Sequence, residues 1–171
     1  MTRIIGGFPG VGKSHAVENP LQPNLTVADS DSSKFSWCKP GQPLLDYKVR
    51  DDRFPENYLD HIETSDADII LVSTHKELLE GLVARGLDFF LVYPSRDQKD
   101  EYLVRCTVRG SSLQFIAMLD QMWNSFINDI ENFNLPPDRK VVLRPGQFLS
   151  DVIEAIWMIG QVTPSSATRR G

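Results

Sequence analysis

The chain has 171 residues, a formal net charge of −5 at pH 7, and 41% hydrophobic and 24% charged residues. That is enough for one domain with a sizeable core and barely enough for two, and the composition is that of an ordinary globular protein. The acidic balance excludes a global attraction to nucleic acid or anionic membrane, while leaving room for a local basic cleft. Two cysteines, Cys38 and Cys106, lack metal-type spacing and read as free thiols of a reducing compartment. With no leader-like segment and no apolar run near the ~20 residues of a membrane span, the expected location is the cytoplasm.

A short apolar strand is expected over Arg3–Gly6. It runs into Gly7-Phe8-Pro9-Gly10-Val11-Gly12-Lys13-Ser14, a complete G-x-x-x-x-G-K-[ST] pattern, and a first helix follows from Lys13 to Glu18. Strand, glycine-rich loop and helix N-terminus together form a phosphate cradle. The glycines let successive N–H groups point inward, and the helix start adds partial positive charge. Lys13 is placed to reach the β- and γ-phosphates, and Ser14 to offer a hydroxyl to Mg²⁺. His15 follows at the cradle's edge. A bound nucleoside triphosphate is the direct implication.

Asn19-Pro20 closes the first helix, because the residue before a proline is pushed out of the α region. A second strand over Leu25–Ala28 ends on Asp29-Ser30-Asp31-Ser32-Ser33. The stretch 38–55 carries Pro40, Pro43 and Pro55 with Lys39, Lys48, Arg50 and Arg53, and reads as an insertion over the sheet. A helix is expected over Glu56–Thr64, then a buried parallel strand over Ala67–Val72. Thr74-x-x-Glu77 has the form of a capping box opening a helix to Gly86. A fourth strand covers Phe89–Tyr93, and a charged helix runs from Arg96 to Arg109. A longer helix carries Phe115, Ile116, Leu119, Met122, Trp123, Phe126, Ile127 and Ile130 at core-facing spacing. Val141–Leu143 makes the last strand and Phe148–Ile159 the last helix. The polar tail from Thr163 to Gly171 is expected to be disordered.

Five strands alternating with helices predict an α/β three-layer sandwich with a five-stranded parallel sheet, one domain over residues 1–162 with a lid near 95–111. Ligands of such sheets bind at the carboxyl ends of the strands, so the segments after each strand should converge. They are Gly7–Ser14, Asp29–Lys34, Ser73–His75, Pro94–Arg96 and Arg144–Gly146.

Asp29 and Asp31 either cap the next helix or do chemistry. Transfer of a phosphoryl group to an alcohol benefits from a carboxylate that takes the hydroxyl proton, whereas a phosphate acceptor needs arginines instead. Asp29 is expected to be the base, with Asp31 second, and Asp29 with Ser14 could orient Mg²⁺ and its waters. An apolar strand ending in Asp, the usual partner of such a loop, is missing: Ala67–Val72 ends in Ser73-Thr74-His75. No N-K-x-D guanine motif occurs. Arg96, Lys99, Arg105 and Arg109 lie where a lid would close, and lid arginines stabilise charge on the transferred group. Arg105 and Arg109 lie four apart on one helical face. Arg144 is placed to border the donor base.

The phosphate loop, the strand-two aspartates and the arginine-bearing lid together resemble the nucleotide and polynucleotide kinase group of P-loop proteins, over about residues 3–160. The chain lacks the D-G-[FY]-P-R and D-R-[YFH] stretches of adenylate and thymidylate kinases within that group. In the phage polynucleotide 5′-kinases an Asp after strand two acts as base and a basic residue follows; Asp29, Asp31 and Lys34 are similar in placement. The run Val27–Trp37, with Val92-Tyr93-Pro94-x-Arg96, looks most like small phage-type kinases, some linked to thymidine hypermodification. The resemblance implies ATP and Mg²⁺, and a hydroxyl acceptor such as 5-hydroxymethyluracil in phage DNA. Phe35 and Trp37 would then stack on an extruded base, Lys34, Lys39, Lys48, Arg50 and Arg53 would track the strand, and Arg96 would touch substrate. A nucleoside monophosphate kinase and a non-catalytic ATP-binding module are the alternatives.

Overall fold

The computed structural model describes residues 2–20, 22, 24–36 and 50–159. In chain order it contains β1 (Arg3–Gly7), α1 (Lys13–Glu18), β2 (Val27–Asp29), α2 (Ser33–Ser36), α3 (Glu56–Glu63) and β3 (Ile69–Val72). Then follow α4 (Lys76–Ala84), β4 (Phe89–Pro94), α5 (Lys99–Val108), α6 (Leu113–Glu131), β5 (Lys140–Leu143) and α7 (Ile153–Ile159). The five strands form one all-parallel sheet in the order β2-β3-β1-β4-β5. The α/β class with a five-stranded parallel sheet thus agrees with the sequence reading.

β1 occupies the centre, hydrogen-bonded on both sides, with Ile5 opposite Leu71 of β3 and Phe90 of β4. A strand in that position is covered on both faces and needs apolar residues throughout. Ile4 and Ile5 of β1, all of Ile69–Val72 and Phe89–Val92 are buried. Parallel neighbours require crossovers, and their right-handedness puts α1 on one face and α3 and α4 on the other. α3 packs on α4, and α5 packs on α6.

The elements differ from expectation in a few places, each with a local cause. β3 begins at Ile69 because Asp68 interrupts the apolar run. Its carboxylate accepts from the Thr26 N–H (2.8 Å) and hydroxyl (2.7 Å), tying the starts of β2 and β3 together. β2 takes in Asp29 as its last residue, so that carboxylate is fixed by the sheet rather than by a turn. The Thr74–Glu77 capping box does not form. α4 starts at Lys76 with His75 at its N-cap and no side-chain cap, and Glu77 pairs with Arg50 instead. Met122 is 41% exposed, outside the buried stripe of Leu119, Trp123, Ile127 and Ile130. Residues 160–171, and with them the expected tail, lie outside the described residues.

The packing that positions the loop after β1 centres on Phe8. Its side chain is fully buried, edge-on to Trp123 of α6 (ring centroids 5.3 Å) and to Tyr102 of α5 (6.0 Å). Trp123 in turn donates its indole N–H to the Arg96 carbonyl at 2.8 Å, holding α6 over the end of β4. Truncating a buried aromatic removes its transfer energy and leaves a cavity. Phe8→Ala is expected to lower unfolding stability by about 3–5 kcal/mol. Urea unfolding checks this, and a loss below about 1 kcal/mol would show that Phe8 does not anchor the loop.

Candidate functional site

The segments after the strands do converge. Two cavities flank the loop of residues 7–14 and share Gly10, Gly12 and Arg109. The larger, about 800 Å³, is bordered by the loop, by Asp29–Ser32 after β2, by Ser73–Lys76 after β3, and by one side of α6. The smaller, about 660 Å³, lies between the loop, α5 and Phe148.

The loop curls as the sequence pattern requires. Gly10 and Gly12 have φ of 88° and 94°, a region that side chains with a Cβ rarely adopt. The space above them is also filled: a Cβ on Gly10 would meet Tyr102 at 3.0 Å and one on Gly12 would meet Phe148 at 3.2 Å. Val11 is buried and its carbonyl accepts from the Leu149 N–H at 2.8 Å, while Pro9 is half-buried beside Gly10. Phe8 and Val11 therefore serve the site through their backbone, since their side chains belong to the core.

Lys13 donates from Nζ to the Gly7 carbonyl at 2.7 Å. Burial pushes its pKa down to about 8; Asp29 and Asp31 oppose the shift and Arg109 adds to it. Ser14 donates its hydroxyl to Asp29 Oδ2 at 3.2 Å, joining the helix after the loop to the end of β2. Among the described residues Asp29 Oδ1 accepts no hydrogen bond. A hydroxyl and a carboxylate this close form an oxygen donor pair suited to Mg²⁺, which takes one or two carboxylates and keeps several waters. Among the described residues no group of three or more His, Cys, Asp or Glu side chains could hold a metal by themselves.

β3 does sit beside β1, and it ends in Ser73 with no acid. Among the described residues the aspartate at the height of that strand end comes from β2, one strand further out, where Asp29 lies in register with Leu71. Asp31 is used differently. Its two oxygens accept from the Ser33 N–H (2.9 Å) and hydroxyl (2.8 Å), starting α2 as an Asx turn. His15 lies on the cavity's edge beside Asn19. His75 lines the same cavity, edge-on to Phe54, and burial followed by the Arg50 charge holds its pKa below the ordinary value.

The lid arginines separate into three situations. Arg109 is exposed, lines both cavities and lies close enough to Lys13 to depress its pKa. Arg105 is committed: it donates to the Gly10 carbonyl (3.2 Å) and the Gln147 carbonyl (2.8 Å) and pairs with Glu101. It also stacks over the rings of Tyr102 and Phe148, 4.5 and 3.8 Å from their centroids. Such a guanidinium braces the outer edge of the loop. Arg96 points to α6, donating to Asn124 (3.4 Å) and Asn128 (2.6 Å) and pairing with Glu131 at 2.7 Å, and lines neither cavity.

The remaining expected contacts are also placed. Arg144 is exposed and lines neither cavity; its N–H donates to Gln147 at 2.8 Å. Phe35 stacks on Tyr58 (4.8 Å) and against His61 (4.9 Å), so it packs on α3. Lys34 is exposed on α2. Trp37, Cys38, Lys39 and Lys48 lie outside the described residues. Cys106 is a free, buried thiol beneath the loop. Sequence reasoning missed the contribution of α6: Phe115 and Phe126, expected on the core-facing stripe, line the larger cavity together with Met118, which was given no role. It also missed Phe148, whose exposed position after β5 gave no periodic signal.

The depressed pKa of Lys13 has a direct consequence. A triphosphate held at this loop would favour the ammonium form, so its binding near pH 8 would take up protons and weaken as pH rises further. Titration calorimetry in buffers of differing ionisation enthalpy reads both quantities, and a pH-independent affinity without proton uptake would contradict the placement of Lys13.

Comparison with known proteins adds no assignment: no protein-family model matches the chain, and no curated protein matches it. The reading of the site rests on its geometry.

Proposed function

We propose that the protein is an ATP-dependent kinase that transfers the γ-phosphoryl group to a hydroxyl. The observation that carries this reading is the Ser14–Asp29 contact at 3.2 Å, at a loop whose Lys13 faces the same cavity. The backbone N–H groups of Gly10–Ser14 and the ammonium of Lys13 would hold the β- and γ-phosphates. The donor base fits the smaller cavity, against Phe148 and Val104. Magnesium, held by Ser14 and Asp29, would neutralise charge on the phosphates.

In the transfer, the acceptor oxygen forms a bond to the γ-phosphorus as the bond from that phosphorus to the β–γ bridging oxygen breaks. The hydroxyl proton passes to Asp29, and ADP leaves. Asp31, occupied by its turn, is the poorer base. Arg109, which borders both cavities and donates to the Ser111 hydroxyl at 3.0 and 3.3 Å, would turn from it to stabilise the equatorial oxygens, while Arg105 keeps the loop in shape.

The acceptor we favour is a hydroxyl carried by a nucleobase, 5-hydroxymethyluracil in phage DNA being the leading case, as a step of thymidine hypermodification in the host cytoplasm. Lys34 is exposed on α2, just after the Asp29–Ser32 border of the larger cavity, and would meet a DNA backbone there; Arg50 pairs with Glu77 and Arg53 with Asp51. A nucleoside monophosphate acceptor would need cations in that cavity beyond those serving the donor. Among the described residues Lys76 alone remains, 3.8 Å from Glu80. No helix among the described residues is long and apolar enough to cross a membrane.

Labelled ATP offered in parallel to DNA containing 5-hydroxymethyluracil, to unmodified DNA and to a panel of nucleoside monophosphates tests the reading. Label entering only the modified DNA is the expected result, and label appearing as nucleoside diphosphate would replace it with the nucleotide-supply reading. Lys13→Ala should abolish transfer. Asp29→Asn should lower turnover by about 10²–10⁴-fold and Mg²⁺-ATP affinity by much less, with affinity for ATP without Mg²⁺ near wild type. Equal losses of turnover and affinity in Asp29→Asn would assign the residue to the metal alone.

A further inference from the structure

Asp29 ends β2, and its carboxylate is only as well placed as the backbone that follows it. The next residue, Ser30, is buried, and both of its backbone groups are held. Its N–H donates to the Leu71 carbonyl at 2.9 Å, carrying the pairing of β2 with β3 one step further. Its carbonyl accepts from the Tyr58 hydroxyl of α3 at 2.5 Å. Tyr58 is fully buried, so water cannot take over this bond. A buried carbonyl without a partner is costly, and the hydroxyl is what keeps Ser30 where it is.

Tyr58 is itself set from several directions. Its ring stacks on Phe35 of α2, with centroids 4.8 Å apart and planes at 21°, and on Phe54 at 6.3 Å and 21°. The neighbouring Asn57 donates to the Phe35 carbonyl at 3.0 Å. Between Ser30 and Phe35 the chain turns through the contacts of Asp31 with Ser33. Residues 30–35 therefore leave Tyr58 at its hydroxyl and return to it at its ring. Burial pushes the hydroxyl's pKa up to about 12, so it stays a donor across neutral pH. A phenylalanine would fill the same space between Phe35 and Phe54, so packing alone does not call for the hydroxyl.

We infer that Tyr58 is a positioning residue for phosphoryl transfer: through the Ser30 carbonyl, its hydroxyl fixes the direction in which Asp29 presents its carboxylate to Ser14. The inference rests on the kinase reading, in which that carboxylate takes the acceptor proton and helps hold Mg²⁺. Tyr58 lines neither cavity, so it acts on the reaction only through that carbonyl. A reacting group displaced by about 1 Å can lose about 10²-fold in rate, which makes one backbone contact beside Asp29 enough to matter.

The experiment uses Tyr58→Phe in the full chain, with Thr26→Val as its control. Thr26 ties the same two strands at their other end, where its hydroxyl donates to the Asp68 carboxylate at 2.7 Å and accepts from the Asp68 N–H at 2.9 Å. With labelled ATP and DNA containing 5-hydroxymethyluracil, Tyr58→Phe should lower turnover about 10–100-fold and leave the KM for DNA within about two-fold of wild type. In an Asp29→Asn background the same change should lower turnover less than about two-fold further, because the group being positioned is gone. Titration calorimetry gives a readout without transfer: the gain in ATP affinity on adding Mg²⁺ should shrink at least about three-fold, with affinity for ATP alone unchanged. Thr26→Val should match wild type in both. Phe35→Leu loosens the ring stack, keeps the hydroxyl and should show the same pattern more weakly; it stands in if a thermal melt finds Tyr58→Phe unfolded. Undiminished turnover or an unchanged Mg²⁺ gain in the folded variant, a full further loss in Asp29→Asn, or an equal loss in Thr26→Val would each overturn the inference. Failure of the kinase reading looks different: the wild type passes no label to any acceptor, yet the Mg²⁺ gain still shrinks in Tyr58→Phe and not in Thr26→Val.

Discussion

The curl of backbone between β1 and α1 is the constraint on which the rest of the site depends. Ordinary residues would strain it, because Gly10 and Gly12 have positive φ and a Cβ at either would press on Tyr102 or Phe148. The curl does not hold itself, either. Phe8 pins one side to the aromatic cluster of α5 and α6, and Arg105 ties the Gly10 carbonyl to Gln147 on the other. Lys13 and Ser14 follow directly, so their positions inherit the loop's rigidity. With the loop fixed, the ends of β2 and β3 lie on one flank and the turn after β5 on the other.

That division gives the molecule two sides with opposite character. The flank toward Phe148 is small and largely apolar, with Arg105 stacked between two rings. The flank toward β2 carries Glu18, Asp29, Asp31 and Asp129, and Asp29 accepts from the Ser14 hydroxyl. Arg109 borders both, which suits a group that follows charge as it moves from donor to acceptor. In this account Asp29 supplies from β2 the carboxylate that the end of β3 lacks. A residue there is held by ladder hydrogen bonds, so its carboxylate does not depend on a mobile turn.

Much of this was legible in the sequence because it is local. The glycine loop, the alternation of apolar strands with amphipathic helices, and the convergence of strand ends follow from spacing alone. What sequence could not supply was long-range partnership. Arg96 looked like a lid residue, yet its partners Asn124, Asn128 and Glu131 stand a whole helix away in sequence. Arg105 was expected to serve the transferred group from a lid for the same reason, since Gly10 and Gln147 are brought to it only by the fold. The Thr74–Glu77 capping box had the right pattern, but Glu77 finds Arg50 instead. Asp29 and Asp31 were nearly equivalent on paper, and hydrogen bonding separated them: one closes a turn, the other meets Ser14. The stripe on α6 was read as core, which is right for Leu119, Trp123 and Ile127. Its flanking aromatics face the cavity because α6 and α4 leave a gap between them.

The most direct measurement is the structure of the protein with Mg²⁺ and a non-hydrolysable ATP analogue. The account predicts the terminal phosphates in the N–H groups of Gly10–Ser14, with Lys13 Nζ turned from the Gly7 carbonyl onto them. It further predicts the cation between Ser14 and Asp29, and the base beside Phe148. An analogue bound away from the loop, or a cation held without either Ser14 or Asp29, would contradict it.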